Sequence, residues 1–120
     1  MANSNSFNRF TKENLSDSSA SPSTVYTVNS NETSIITGCL ISNKLNQPVD
    51  VTVELFTTIA NSDSVKLVSG IEVPAFGAIE LGLGKVVLKN DGNGTDSIRA
   101  FGSHADALDI TLSILQNVKQ

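Results

Sequence analysis

The sequence predicts an all-β fold: an antiparallel β-sandwich, jelly-roll- or immunoglobulin-like, of about eight or nine short strands with an extended N-terminal arm. Three observations predict it. Apolar and polar residues alternate at period two over most of the chain, turn-forming residues recur at short intervals between the alternating runs, and no stretch combines the length and spacing of an ordinary helix. At 120 residues the chain forms one domain, large enough to build a core without disulfide or metal staples.

Residues 1–23 read MANSNSFNRFTKENLSDSSASPS, rich in Ser, Asn, Asp and Thr, with Phe7, Phe10 and Leu15 as their large apolar side chains. Ordering a residue costs roughly 1–2 kcal/mol of backbone entropy, which so little apolar surface does not offset. This segment therefore reads as an arm, flexible or partner-bound, with Phe7, Phe10 and Leu15 as its partner-contact anchors. Residues 24–120 form the sandwich domain.

From Thr24 the alternation begins. In residues 48–55, Val49, Val51, Val53 and Leu55 point one way and Asp50, Thr52 and Glu54 the other; in the last strand Leu108, Ile110, Leu112 and Ile114 oppose Asp109, Thr111 and Ser113. Shorter runs at 24–28, 34–42, 65–69, 72–74, 78–81, 85–89 and 97–101 complete the expected set. The turns between them hold Asn29-Ser30-Asn31, residues 43–48, Asn61-Ser62-Asp63, Ala75-Phe76-Gly77 and residues 90–94. These residue types tolerate φ > 0 or bond their own backbone.

Apolar doublets interrupt the alternation: Ile35-Ile36, Leu40-Ile41, Leu55-Phe56, Leu67-Val68, Val86-Val87-Leu88 and Ile114-Leu115. Each puts large side chains on both faces of its strand. Some mark strand ends, bulges or corners; the others point to surfaces covered by neighbouring subunits, because a monomer seldom exposes a large contiguous apolar patch.

Composition narrows the function classes. Ser, Thr and Asn make up nearly a third of the chain, whereas Lys+Arg number 8 and Asp+Glu 12, for a net charge of −4. Without a basic cluster, nucleic acid and anionic membranes are not expected partners. No apolar run reaches the length of a membrane span and the polar N-terminus lacks a signal-peptide stretch, so a soluble product not exported by that route is expected. One His, one Cys, one Tyr and no Trp leave few groups for proton transfer or nucleophilic attack, so no enzyme activity, catalytic residue, cofactor or metal is expected.

Five features could speak against that expectation. Asp91-Gly92-Asn93-Gly94-Thr95-Asp96 has the alternating oxygens of a calcium loop, but Asp96 and Gly102 stand where Gly and a bidentate Glu are required, so it reads as a hairpin turn. Gly77, Gly82, Gly84 and Lys85 imitate a phosphate loop, but Ile79 and Val86 occupy the Gly and Ser/Thr positions; the glycines permit a tight bend. Ser103, His104 and Asp106 are too close in sequence to converge as a triad. Cys39 reads as a small buried hydrophobe with no disulfide partner. The sequons at Asn14, Asn31 and Asn93 are what an Asn-, Ser- and Thr-rich chain produces by chance.

The order of segments, Val25-Tyr26-Thr27-Val28, Thr33 to Ile36, Ile41 to Lys44, Val49 to Val53, Val73-Pro74-Ala75 with Ile79-Glu80-Leu81, Val86-Val87-Leu88, Asp96-Ser97-Ile98 and Leu108 to Ser113, resembles small all-β virion structural proteins of tailed bacteriophages of marine and cyanobacterial hosts. The resemblance covers about residues 24–116. It departs at Asn29-Ser30-Asn31-Glu32, where such proteins often carry Pro-Ala-Gly, and at the lengthened turn of residues 90–95. It implies a non-enzymatic, homo-oligomeric virion component made in the host cytoplasm, a trimer among its candidate states. A capsid decoration or cement protein anchored by its arm on major capsid or tail proteins is the first reading. A neck, baseplate or tail-fibre-associated adaptor is the alternative within that class. A receptor- or glycan-binding β-sandwich, with Phe76 and Phe101 as its loop aromatics, is the alternative outside it.

Overall fold

The computed structural model describes residues 6–117. Nine strands follow one another: β1 (Ser6–Lys12), β2 (Ser23–Thr27), β3 (Thr33–Asn43), β4 (Val49–Thr57), β5 (Asp63–Val73), β6 (Ala78–Glu80), β7 (Val87–Lys89), β8 (Asp96–Gly102) and β9 (Leu108–Gln116). They form two antiparallel sheets. The first, here sheet A, runs β1-β9-β3-β6 with β7 also on β3; sheet B runs β2-β8-β4-β5.

β6 and β7 are two pieces of one interrupted edge strand. Both pair with β3, and between them the Leu81 amide bonds the Cys39 carbonyl while the Lys85 amide bonds that of Ile36. Counted as one strand they leave eight, and every connection except β4 to β5 crosses between the sheets. Two four-stranded sheets linked in this way are a jelly roll. The fold expectation therefore holds, and the topology selects its jelly-roll form over the immunoglobulin form, whose sheets are wound differently.

Alternation places the core. Ile36, Cys39 and Ile41 of β3, Val49, Val51 and Val53 of β4, Ile98 and Ala100 of β8 and Leu108, Ile110, Leu112 and Ile114 of β9 are buried between the sheets. Apart from Arg99 Nε, the buried side-chain polar atoms of the described residues are paired. The Tyr26 hydroxyl of β2 meets Ser34 Oγ of β3 at 2.7 Å and accepts from Gln116 Nε2 of β9 at 3.0 Å, tying sheet B to sheet A. Asn43 Nδ2 donates to the carbonyls of Gln47, Val73 and Pro74, and its Oδ1 accepts the Leu45 amide. That one side chain clamps the β3–β4 turn onto the end of β5.

Three expectations need correction. The first concerns the arm, whose opening residues 1–5 lie outside the described residues. Ser6–Lys12 is an edge strand of sheet A, paired with β9 from Ser6↔Gln116 to Lys12↔Ile110. Leu15 is fully buried, its amide bonded to the Leu108 carbonyl and its carbonyl accepting from Asp106. Phe10 packs on the core with its ring centroid 4.5 Å from that of Tyr26. Ordering this segment is offset by seven paired residues, an aromatic contact and a buried leucine, none of which the composition of residues 1–23 reveals by itself.

The second correction fuses the expected strands 65–69 and 72–74 into β5. Gly70 adopts φ +63° and its amide donates to Thr52 Oγ1 at 3.1 Å, so the glycine is absorbed as a bulge beside the register shift between Val51 and Val53. The third concerns the turn at residues 90–95. It is closed by an Asn90↔Thr95 bridge, but β7 lies in sheet A and β8 in sheet B, so it is a corner between sheets and not a hairpin within one.

Candidate interaction surfaces

The outside of sheet A carries a feature set by register. Phe7 of β1 faces Leu115 of β9, Leu115 faces Ile35 of β3, and Ile35 faces Val87 of β7. Each belongs to the outward set of its strand, opposite the buried Ile36, Leu88 and Ile114. Phe7 is 75% and Val87 47% exposed; Ile35 and Leu115 are half-buried between them. At about 4.8 Å per strand the row spans roughly 14 Å across the sheet. Its neighbours Arg9, Thr11, Thr37, Thr111 and Ser113 are polar and almost uncharged.

This row explains two of the doublets. In Ile35-Ile36 and Ile114-Leu115 one member enters the core and the other joins the row, as Val87 does beside Leu88. Of the three expected anchors, only Phe7 remains available to a partner. Phe10 and Leu15 are used inside the fold.

The outside of sheet B is different in character. Glu54, on the outward side of β4, is only 3% exposed. Arg99 Nη2 lies 3.2 Å from its Oε2 and Lys66 Nζ 3.4 Å from its Oε1, while the Arg99 guanidinium stacks 3.9 Å from the Phe56 ring centroid. The Lys66 amine lies over the Phe101 ring at 5.9 Å. Two cations thus meet at one buried carboxylate, each also lying over an aromatic ring.

Beside this cluster, where residues 16–22 pass the end of β8, runs an open groove of about 220 Å³ lined by Asp17, Ser19, Asp50, Thr52, Phe101 and Ser103. Its walls are tied together. Gly102 donates to the Ser16 carbonyl at 2.8 Å, Ser103 to the Asp50 carbonyl at 2.9 Å, and the Asp50 amide to Ser103 Oγ at 3.0 Å. Asp17 and Asp50 are exposed and make no ion pair among the described residues.

The other candidate residues fall apart as chemistry. Ser103 Oγ lies 3.1 Å from His104 Nδ1, while the Asp106 amide donates to the Leu15 carbonyl. Asp91 Oδ1 accepts the amides of Asn93 and Gly94, which hold its carboxyl below the usual range and commit the oxygen to the turn. Asp96 Oδ2 accepts the Lys89 amide. No cluster able to hold a metal ion is present among the described residues. Cys39 is buried, and burial pushes its thiol up to about 12. Phe76 stands at the β5–β6 turn, 70% exposed with φ +53°. Gly82 and Gly84 flank the buried Leu83 in the interruption between β6 and β7, the bend expected of them.

The chain matches no protein-family model and no curated protein.

Proposed function

We propose that the protein is a non-enzymatic structural component of a bacteriophage virion, a homo-oligomeric capsid decoration protein whose subunits meet through the outer face of sheet A. The observation that carries the assembly reading is the in-register row Phe7, Leu115, Ile35 and Val87. Single exposed apolar residues are ordinary, but a contiguous row across four strands is the kind of patch that marks an interface. An interface of standard size buries about 800 Å² per partner around an apolar centre with a polar rim. The row is such a centre, and Arg9, Thr11, Thr37, Thr111 and Ser113 are such a rim.

The virion assignment comes from the resemblance of the strand and turn order to phage structural proteins. Jelly rolls are a common architecture of capsid proteins, which agrees with it. Fold alone does not fix function. Particle localisation tests it: electron microscopy of phage particles assembled with an epitope-tagged copy is expected to show the tag at regular positions on the capsid. Tagged chain found wholly in the unassembled fraction would contradict the proposal.

A further inference from the structure

We infer that the groove on the outer face of sheet B is a binding site for one sugar ring, independent of the assembly reading. The argument begins with shape. At about 220 Å³ and open on one side, the groove is smaller than the roughly 300–1,000 Å³ pockets that enclose drug-sized ligands. It fits a small ring lying on a surface.

The chemistry of the lining selects the class of ligand. Phe101 offers an apolar ring, while the carboxylates of Asp17 and Asp50 offer acceptor oxygens with no cation paired to them. Each ionised carboxylate can accept several hydrogen bonds and none can be donated back. Ser19 adds a hydroxyl that both donates and accepts. The complementary group has hydroxyl donors along one edge and C–H bonds on a face, which describes a pyranose.

Two other ligand classes fit less well. A hard cation gains nothing from an aromatic wall and prefers six or more oxygens. Here it would meet two carboxylates and no third acidic or imidazole ligand arranged to help. A lysine or arginine of a partner would be drawn by the carboxylates, but the Lys66 amine already lies over the Phe101 ring at 5.9 Å and repels a second cation there. A neutral polyol meets neither objection.

The groove is also pre-formed. Ser16 bonds Ser23 Oγ through its amide and Gly102 through its carbonyl, and Asp50 and Ser103 exchange two bonds, so the walls stand in place before a ligand arrives. Preorganisation lowers the ordering cost of binding. Like a single shallow site elsewhere, it would be weak alone and effective when repeated in an oligomer.

The test is an amide-shift titration of the ¹⁵N-labelled chain with the methyl glycosides of mannose, galactose, glucose and N-acetylglucosamine, and separately with calcium chloride. At least one glycoside is expected to give saturable shifts confined to Asp17, Ser19, Asp50, Phe101, Gly102 and Ser103, with a Kd on the order of 1 mM. Asp50→Asn and Phe101→Leu, each checked for an unchanged dispersed spectrum, are expected to weaken that binding about tenfold, the loss of one good contact. Phe76→Ala, remote on the β5–β6 turn, is expected to leave it unchanged. Saturation by no glycoside, shifts lying elsewhere, or a response to calcium alone would overturn the assignment. Unaltered affinity in both groove variants would overturn it equally.

Discussion

The Leu15 amide donates to the Leu108 carbonyl at 2.9 Å, and the Leu15 side chain is fully buried. Since Leu108 opens β9, and β1 pairs along the rest of β9 from Ile110 to Gln116, the N-terminal segment is held at two points by the same strand. It is part of the sandwich.

Truncating Leu15 to Ala should therefore cost about 2–5 kcal/mol, the range for emptying a buried leucine site. Deleting residues 2–23 should cost more, because β1 and the Phe10–Tyr26 contact go as well. Chemical denaturation checks both, with a lowered midpoint for the point variant and no cooperative transition for the deletion. A deletion variant with the midpoint of the full chain would show that the segment is dispensable to the fold.

Asn43 concentrates several backbone bonds in one side chain. Replacing it with Ala strands the carbonyls of Val73 and Pro74 and the Leu45 amide near the end of the core. An unpaired buried polar group costs about 1–3 kcal/mol, so a loss of about 3 kcal/mol is expected from denaturation curves. Thermal melts of Asn43→Ala within a degree of the parent would mean that water replaces the amide without penalty.

Cys39 gives a pH dependence whose sign is fixed. Burial raises its thiol from 9.0 to about 12, so the folded chain keeps the proton over a range where the unfolded chain loses it. Its contribution to stability is full below pH 9 and declines between pH 9 and about 12, by at most about 1.4 kcal/mol per pH unit. Cys39→Ala should flatten that decline. At pH 8 the native thiol should also resist alkylation, reacting at the speed of a free thiol only in denaturant; rapid native labelling would refute its burial.

The strands that were legible in the sequence were those with one face in the core. Val49 to Leu55 and Leu108 to Ile114 alternate without a break because each inward residue meets the other sheet. β1 was hidden because Phe7 and Phe10, three apart, point to opposite faces of their strand, so no period of two is visible. Gly70 looked like a strand end, since nothing in its neighbours announces that Thr52 Oγ1 will accept its amide. The turn chemistry around Asp91 was legible, but the sheets its flanks would join were not, because that depends on pairings with β3 and β4 far along the chain.

The same distinction holds for the surfaces. The doublets at Ile35, Leu115 and Val87 announced outward apolar residues, yet only the register of four strands brings them into one row with Phe7. The groove beside Phe101 left less trace. Asp17, Asp50 and Phe101 are separated by long stretches of chain, and the bond between Gly102 and Ser16 that closes the groove involves backbone alone. The sequence suggests a loop aromatic at Phe101; the residue lies instead on β8, where Thr52 faces it across the strand pair.

The central claim is that copies of this chain meet through sheet A, and the mass in solution tests it most directly. Light scattering on the full chain at micromolar to millimolar concentration should give at least twice the 12.6 kDa of one chain. The double variant Phe7→Ser, Val87→Ser, with its fold confirmed by circular dichroism, should scatter as a 12.6 kDa particle. A parent chain that is monomeric throughout that range, or an oligomer that the double variant leaves intact, would contradict the account.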